Sequence, residues 1–228
     1  ELCKKCGLCS SVCPFAAITW KKGEIAVVTE AMCAGCGACA ATCAFGAITM
    51  RHFTDEQLFA QVRAILAEHP QDKILAFACN WCSYAGGDMA GISRLQYPAS
   101  NRLVRTMCSA RVSEEMVLEA FRCGAPVVLV SGCHYADCHY INANRQTVKR
   151  VQRLWDKLEK AGVRPERLQL EWISAAEGQK FAKVMHRLEE LRQTVTLEEI
   201  EHARQTLKPK PKKVAKEEAQ VGVASTTL

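Results

Sequence analysis

Cysteine is the residue type through which this chain could do chemistry, since 14 of its 228 residues are cysteines. No apolar run reaches the roughly 18 residues needed to cross a bilayer, and no secretory signal pattern opens the sequence. Disulfide frameworks belong to exported proteins, so this many cysteines in a chain without an export signal favour metal ligation. We therefore expect a cytoplasmic protein whose thiolates bind metal.

Eight of the cysteines form an internal repeat with an offset of thirty residues. Each copy reads Cys-x2-Cys-x2-Cys-x3-Cys and continues as x-Phe-x-Ala-Ile-Thr, which predicts a short strand. This spacing is typical of bacterial two-cluster ferredoxins, in which the fourth cysteine of each run ligates the other cluster. It predicts a first cubane bound by Cys3, Cys6, Cys9 and Cys43, and a second cubane bound by Cys33, Cys36, Cys39 and Cys13.

Other residues of the repeat agree with two [4Fe–4S] clusters. Gly7 and Gly37 should let the loop backbone approach the inorganic sulfides and point N–H groups at them. Paired zinc sites are disfavoured, because zinc prefers wider ligand spacing and usually includes histidine. Ala44 stands where the pattern expects a proline, as at Pro14, which changes a turn and removes no ligand.

Residues 1–50 resemble a dicluster ferredoxin domain, and this resemblance implies low-potential, one-electron transfer with no substrate chemistry of its own. The first residue is glutamate and the first ligand is already Cys3. A domain is seldom anchored by so short a leading segment, so we expect the sequence to be the C-terminal part of a longer polypeptide.

The elements after residue 50 must position the remaining cysteines. A helix is predicted to begin at the capping box Thr54–Gln57 and to stop at Pro70. Strands are predicted at 73–78, 103–107, 127–130 and 168–173. Helices are predicted at 85–92, 113–121, 142–160 and from a capping box at Ser174–Glu177 toward 191. This alternation predicts an α/β domain with a small, mostly parallel four-stranded sheet, preceded by the α+β ferredoxin domain.

Five cysteines directly follow the predicted strands: Cys79 and Cys82 after the first, Cys108 after the second, and Cys133 and Cys138 after the third. The carboxyl ends of parallel strands meet at one edge of a sheet, where ligands bind. We therefore expect the five thiols to converge on one site. Cys123 stands at the end of a helix and is interpreted as a small buried hydrophobe.

Several chemistries compete for this site. Zinc could use the two close cysteine pairs, and Cys79-Asn-Trp-Cys82 after a strand has the placement of a dithiol redox centre. His134 and His139 raise a His2Cys2 Rieske-type alternative, but each follows a cysteine directly, which favours supporting donors or plain polar loop residues. An all-cysteine iron–sulfur cluster fits best, because it extends an electron path from the ferredoxin segment.

The second half of the chain resembles the delta subunit of methyl-viologen-reducing hydrogenase over residues 73–190. The resemblance rests on five separate strings: Cys79-Asn-Trp-Cys-Ser-Tyr84, Ser93-Arg-Leu-Gln-Tyr-Pro98, Met107-Cys-Ser109, Gly132-Cys-His-Tyr-Ala-Asp-Cys-His-Tyr140 and Glu171-Trp-Ile-Ser-Ala-Ala-Glu-Gly178. It implies one [2Fe–2S] cluster held by four of Cys79, Cys82, Cys108, Cys133 and Cys138. We favour the two close pairs, with Cys108 as the alternate.

The same resemblance implies an electron conduit between a hydrogenase or formate dehydrogenase and the flavin subunit of a heterodisulfide reductase. It also implies fused forms that end in ferredoxin motifs, and the B subunit of the quinone-interacting membrane-bound oxidoreductase is a similar alternative. A zinc-braced interaction module beside a ferredoxin is the alternative from another functional class. No catalytic triad, phosphate loop or GxGxxG motif is found, so no substrate site is expected and FAD belongs upstream or in a partner.

The predicted organisation is a dicluster domain at 1–52, a helical linker at 53–72, an iron–sulfur α/β domain at 73–207 and a disordered basic tail at 208–228. The formal net charge of +6 treats every thiol as neutral. Three all-cysteine clusters would add about −6, which brings the loaded protein near neutrality. We therefore expect no nucleic-acid partner.

Overall fold

The structure is a computed structural model that describes residues 1–208. The tail predicted from residue 208 lies, apart from Lys208 itself, outside the described residues.

The two copies of the cysteine repeat form two short loop–helix units. Helix α1 spans Leu8–Ser11 and helix α2 spans Ala38–Thr42. Each is preceded by a left-handed glycine, Gly7 with φ 73° and Gly37 with φ 77°. A side chain would also collide there, with the Trp20 ring at Gly7 and with Met50 and Arg111 at Gly37. Glycine is therefore required at both positions by conformation and by space.

The strand predicted after the first copy forms, and the one predicted after the second copy does not. Strand β1, Ile18–Thr19, pairs antiparallel with β2, Val27–Val28. Residues 47–49 are not assigned to a strand, and within residues 1–208 they have no paired partner. An isolated extended segment without a ladder does not make a strand, so this part of the prediction was wrong.

Helix α3, Asp55–Leu66, begins as predicted at a complete capping box. The hydroxyl of Thr54 accepts the N–H of Gln57 at 3.2 Å, and the Gln57 side chain accepts the N–H of Thr54 at 3.1 Å. Leu58, Val62 and Leu66 are buried, as the helical period predicts. Pro70 opens a short 3₁₀ turn before the sheet.

The sheet has four parallel strands: β3 (Ile74–Cys79), β4 (Asn101–Thr106), β5 (Val127–Gly132) and β6 (Leu168–Trp172). Their order across the sheet is β4-β3-β5-β6, and every pairing is parallel. All residues of β3 and β5 are buried, because these strands lie in the centre with both faces covered. The predicted α/β architecture is confirmed.

Helices cover both faces of the sheet and leave the strand ends free for a site. One face is covered by α3, α5 (Glu114–Arg122), α6 (Asn144–Lys160) and α8 (Leu197–Thr206). The other is covered by α4 (Ala85–Ile92) and α7 (Gly178–Gln193). Each interface has its own buried apolar cluster, the first around Phe77 and Phe121 and the second around Ile74 and Phe181.

The last predicted helix starts later than predicted and ends near the predicted point, at Gln193. Helix α7 begins at Gly178 rather than at Ser174, and no side-chain cap forms at Glu177. Half of the expected box is present, because the Glu177 carboxylate accepts the N–H of Ser174 at 2.7 Å. Residues up to Thr206 form a separate helix, α8, with a complete capping box between Thr196 and Glu199.

Candidate metal centres

The order in which the chain adds strands reverses between the two central strands, and this switch point lies at the predicted cysteine site. From β3 the chain crosses to β4 on one side and then returns to β5 on the other side of β3. Such a switch point opens a crevice at the carboxyl ends of the strands. Cys79 ends β3, Cys133 directly follows β5, and Cys108 follows β4. Cys82 lies in a π-helical turn at Asn80–Tyr84 that sequence reasoning did not predict.

The thiols at this edge are in direct contact. The Sγ atoms of Cys82 and Cys133 are 2.7 Å apart, and those of Cys79 and Cys133 are 3.9 Å apart. Hydrogen bonds from the thiols of Cys108, Cys133 and Cys82 lower the pKa of Cys79. The same sharing raises the pKa of Cys82, which hydrogen-bonds to Cys133 and Cys79. The thiols of Cys79, Cys82 and Cys133 therefore lie close enough to share hydrogen bonds.

Cys108 and Cys138 complete the group of five. Cys108 is 1 % exposed and Cys138 is 8 % exposed. Hydrogen bonding to Cys138, and to a smaller extent to Cys79, raises the pKa of Cys108. The Cys108 Sγ also accepts the N–H of Ala110 at 3.4 Å. The structure thus brings all five predicted thiols together, and Cys108 is as much a part of the group as the two close pairs.

Side chains around the group hold its loops, and sequence reasoning missed the most important of them. Asn144 is fully buried, and its Nδ2 donates to the carbonyls of Cys133, His134 and Tyr135. Its position at the start of α6, eleven residues after Cys133, was the available signal.

The two histidines lie beside the thiol group. His134 Nε2 is 2.6 Å from a carboxylate oxygen of Glu177. The His139 ring stacks on Trp81 with 3.9 Å between ring centroids. Trp81 in turn donates its indole N–H to the Tyr140 hydroxyl at 2.8 Å, and Tyr140 is buried. In this structure His134 is thus paired with Glu177, and His139 is packed on Trp81.

The donor set fits an iron–sulfur cluster. Five thiols meet there, and cysteine thiolates are the ligands of [2Fe–2S] clusters. The N–H of Ala110 directed at the Cys108 sulfur is the kind of hydrogen bond that stabilises a thiolate.

The cysteines of the second copy are joined by one cysteine of the first copy. Burial raises the pKa of Cys36, and the nearby charges of Cys13 and Cys33 raise it further. Burial likewise raises the pKa of Cys39 to about 11, with Cys36, Cys33 and Cys13 among the neighbouring charges. Cys13 therefore lies close enough to Cys36 and Cys39 for its charge to act on both.

The first copy brings its own three loop cysteines, Cys3, Cys6 and Cys9, near one another, and they are more exposed than those of the second copy. Burial raises the pKa of Cys9, and the charges of Cys6 and Cys3 add to that effect. The fourth cysteine of each copy accepts an equivalent backbone hydrogen bond. Cys13 Sγ accepts the N–H of Ala17 at 3.4 Å, and Cys43 Sγ accepts the N–H of Ala47 at 3.3 Å. These equivalent N–H···S bonds follow from the repeat and suit thiolate ligands.

The second-copy loop packs directly on the five-cysteine group. Cys36, Cys108, Cys138 and Tyr140 belong to one buried cluster, together with three alanines. Phe15 packs edge-on against Tyr140 at 6.3 Å between centroids. The candidate site of the second cubane therefore adjoins the candidate site at the sheet edge. Cys123 lies elsewhere, at the end of α5 against the main apolar core.

Comparisons with known proteins divide the chain in the same way. The family described as "4Fe-4S dicluster domain" matches residues 2–47, and the family described as "Methyl-viologen-reducing hydrogenase, delta subunit" matches residues 74–195. A ferredoxin:CoB-CoM heterodisulfide reductase subunit from Methanosarcina mazei is 48 % identical over 186 residues, which cover 81 % of this chain and 23 % of the relative.

Shorter relatives match the second half over most of their own length. The iron-sulfur subunit of the F420-non-reducing hydrogenase vhc from Methanococcus voltae is 47 % identical over 53 % of this chain and 84 % of the relative. The iron-sulfur subunit of an F420-non-reducing hydrogenase from Archaeoglobus profundus is 46 % identical over 53 % of this chain and 88 % of the relative. No helix among residues 1–208 is long and apolar enough to span a membrane.

Proposed function

Because the chain belongs to the methyl-viologen-reducing hydrogenase delta-subunit family and carries a 4Fe–4S dicluster domain before it, we propose that it is a three-cluster electron-transfer module. It passes single electrons between a hydrogenase- or formate-dehydrogenase-type partner and the flavin subunit of a heterodisulfide-reductase-like complex. The observation that carries the proposal is the shared burial of Cys36 with Cys108 and Cys138, which joins two candidate cluster sites. Relatives named as heterodisulfide reductase and hydrogenase subunits support the partner classes.

The proposed ligand sets keep the swapped pattern of the repeat. Cys3, Cys6, Cys9 and Cys43 hold the first cubane, and Cys33, Cys36, Cys39 and Cys13 hold the second. The proximity of Cys13 to Cys36 and Cys39 supports this exchange. At the sheet edge, Cys79, Cys82, Cys133 and Cys138 hold a [2Fe–2S] cluster, with Cys108 as the alternate ligand.

The chain contributes the environment rather than the redox chemistry. When bound, the clusters supply one-electron oxidation and reduction. The left-handed turns at Gly7 and Gly37 shape the two cysteine loops that would hold the cubanes, while Asn144 fixes the loop that carries Cys133. Trp81 and Tyr140 are hydrogen-bonded beside the sheet-edge site. A flavin is expected upstream or in the partner, and cysteines kept as thiolate ligands suit the reducing cytoplasm.

Two measurements on the anaerobically purified full chain test this function. They are iron and sulfide analysis, and low-temperature EPR after reduction. We expect about ten irons per chain and two kinds of signal, one from cubanes and one from a [2Fe–2S] cluster. About eight irons with bound zinc would instead indicate a zinc-braced module. About eight irons with Cys79 and Cys82 open to alkylation would indicate a dithiol centre, and either result would overturn the three-cluster proposal.

Electron transfer itself is tested with the partner classes. The reduced full chain should be reoxidised by a heterodisulfide-reductase-type flavin subunit, and the oxidised chain should be reduced by a hydrogenase or formate dehydrogenase with its substrate. Exchange with a quinone-reducing partner in place of the heterodisulfide-reductase type would favour the quinone-interacting alternative and contradict our assignment.

A further inference from the structure

Arg150 is a buried arginine that bridges the two halves of the chain. It lies on α6 and is 4 % exposed. Its Nη1 donates to the carbonyls of Ala110 at 3.0 Å and Val112 at 2.7 Å, just after Cys108. Its Nη2 donates to the Thr42 hydroxyl at 3.3 Å, on the helix that carries Cys39. The guanidinium is thus held between the sheet-edge site and the ferredoxin segment.

The positive charge of Arg150 has no direct counter-ion among residues 1–208. All three of its hydrogen-bond acceptors are neutral oxygens. Glu114 is nearby, but its carboxylate pairs with Arg153 at 2.9 Å. Burial lowers the pKa of Arg150 to about 10, which still leaves it protonated at neutral pH. A buried cation without a paired anion is costly, so an anionic neighbour at this place would stabilise it.

Two other buried arginines show what distinguishes Arg150. Arg111 is fully buried and pairs with Asp55 at 2.5 Å. Arg167 is 1 % exposed and donates to the carbonyls of Pro126, Ala125 and Glu199. It precedes β6, at the amino edge of the sheet and away from the cysteines. The fold can therefore hold a guanidinium with carbonyls alone. Arg150 differs from Arg167 in its position beside the cysteines.

Arg150 lies beside the sheet-edge site, because it donates to the carbonyls of Ala110 and Val112, two and four residues after Cys108. The negative charges of Glu114 and then of Cys108 raise the pKa of Arg150 against the effect of burial. Each all-cysteine cluster has a net negative charge, and one-electron reduction makes that charge more negative. A fixed positive charge in a poorly solvated interior therefore favours the reduced state over the oxidised state.

We propose that Arg150 is a fixed buried charge that raises the reduction potential of the cluster at the five-cysteine site. It also links that site to the second-copy helix, so the same charge acts on both sides of the junction. This inference rests on the proposed function, because it requires that the sheet-edge site holds a redox cluster.

The test is an EPR-monitored redox titration of the anaerobic full chain and its variants. Arg150→Gln removes the charge and keeps hydrogen-bonding groups, so we expect a lower midpoint potential for the sheet-edge cluster. Arg150→Lys keeps the charge, and we expect a potential close to wild type. Arg167→Gln is the matched control, because it removes an equally buried, carbonyl-bound guanidinium at the far edge and should leave all potentials unchanged.

The outcomes separate this inference from the proposed function. If the wild-type chain has no third signal, the proposed function fails before Arg150 is tested. If the signal is present and its potential is the same in Arg150→Gln, the inference is wrong. An equal drop in Arg167→Gln or in Arg150→Lys would also overturn it, because lost contacts would then explain the shift. If Arg150→Gln does not retain its clusters, Arg150→Met is titrated in its place. If neither variant retains them, the potential of Arg150→Lys decides: a value close to wild type supports the inference, and a drop overturns it.

Discussion

At the residue scale, Cys133 is the most informative cysteine of the sheet-edge site. Its thiol contacts those of Cys82 and Cys79, and hydrogen bonding to Cys138 lowers its pKa. Cys133→Ser should therefore lose the [2Fe–2S] signal and about two irons while both cubane signals remain. Iron analysis and EPR check this result. Cys123→Ser, a matched change outside the site, should leave the iron count and the spectra unchanged.

Cys108→Ser then distinguishes the ligand sets. If the two close pairs bind the cluster, this variant keeps about ten irons and shows a perturbed [2Fe–2S] spectrum, because a buried neighbour has changed. Loss of the third signal in Cys108→Ser, together with its survival in a variant of one of the close pairs, would contradict the favoured set. Retention of the signal in Cys133→Ser would contradict it as well.

Cysteine spacing made the candidate sites predictable, whereas the residues that tune them were harder to find. Cubane spacing is local, so it is readable from the sequence. Arg150 donates to Thr42, which lies 108 residues away along the chain and is brought near only by folding. A signal was present, because Arg150 falls on the buried stripe of α6 with Thr147, Val151 and Leu154. An arginine on such a stripe must find hydrogen-bond partners in the interior.

At the scale of elements, the capping box of α3 fixes the start of the helix that links the two halves. Arg111 donates to the carbonyl of Phe53 and to Asp55, on either side of Thr54. Thr54→Ala removes the hydroxyl that accepts the Gln57 N–H, so we expect a loss of about 1 kcal/mol in the free energy of unfolding. Anaerobic urea unfolding, followed by circular dichroism, measures it.

Two variants control this change. Thr54→Ser keeps the accepting hydroxyl and should stay close to wild type. Thr196→Ala removes the equivalent cap of α8, so a similar loss is expected there. If Thr54→Ala unfolds at the wild-type urea concentration, the cap does not stabilise the link.

Elements with strong local signals were predictable, and those decided by distant contacts were not. Four strands and the capping box of α3 follow from apolar runs and side-chain chemistry. The start of α7 does not, because Glu177 is bound by His134, which lies 43 residues away. The π-helical turn that carries Cys82 was also missed, since it depends on how β3 meets the neighbouring loops rather than on local propensity.

At the scale of the whole molecule, the two halves are stabilised in different ways. Within residues 1–50 the buried apolar residues are few and mostly small: Ala17, Ile18, Cys36, Ala38 and Ala40. The sheet has two large apolar clusters, one on each face. A segment with so little apolar burial depends on its metal ligation, because metal binding and folding are then the same process.

Cluster removal should therefore unfold the first half and spare the second. We expect hydrogen–deuterium exchange of the cluster-free chain to lose protection over residues 1–50, while the central strands β3 and β5 keep theirs. The loop after β5 should fall between these extremes, since Asn144 still holds its backbone when the thiols are free. Asn144→Ala in the cluster-free chain is the matched change, and it should expose that loop without opening the sheet. Equal loss of protection in β3, β5 and residues 1–50 would mean that the clusters stabilise the sheet as well, against the division argued from the buried cores.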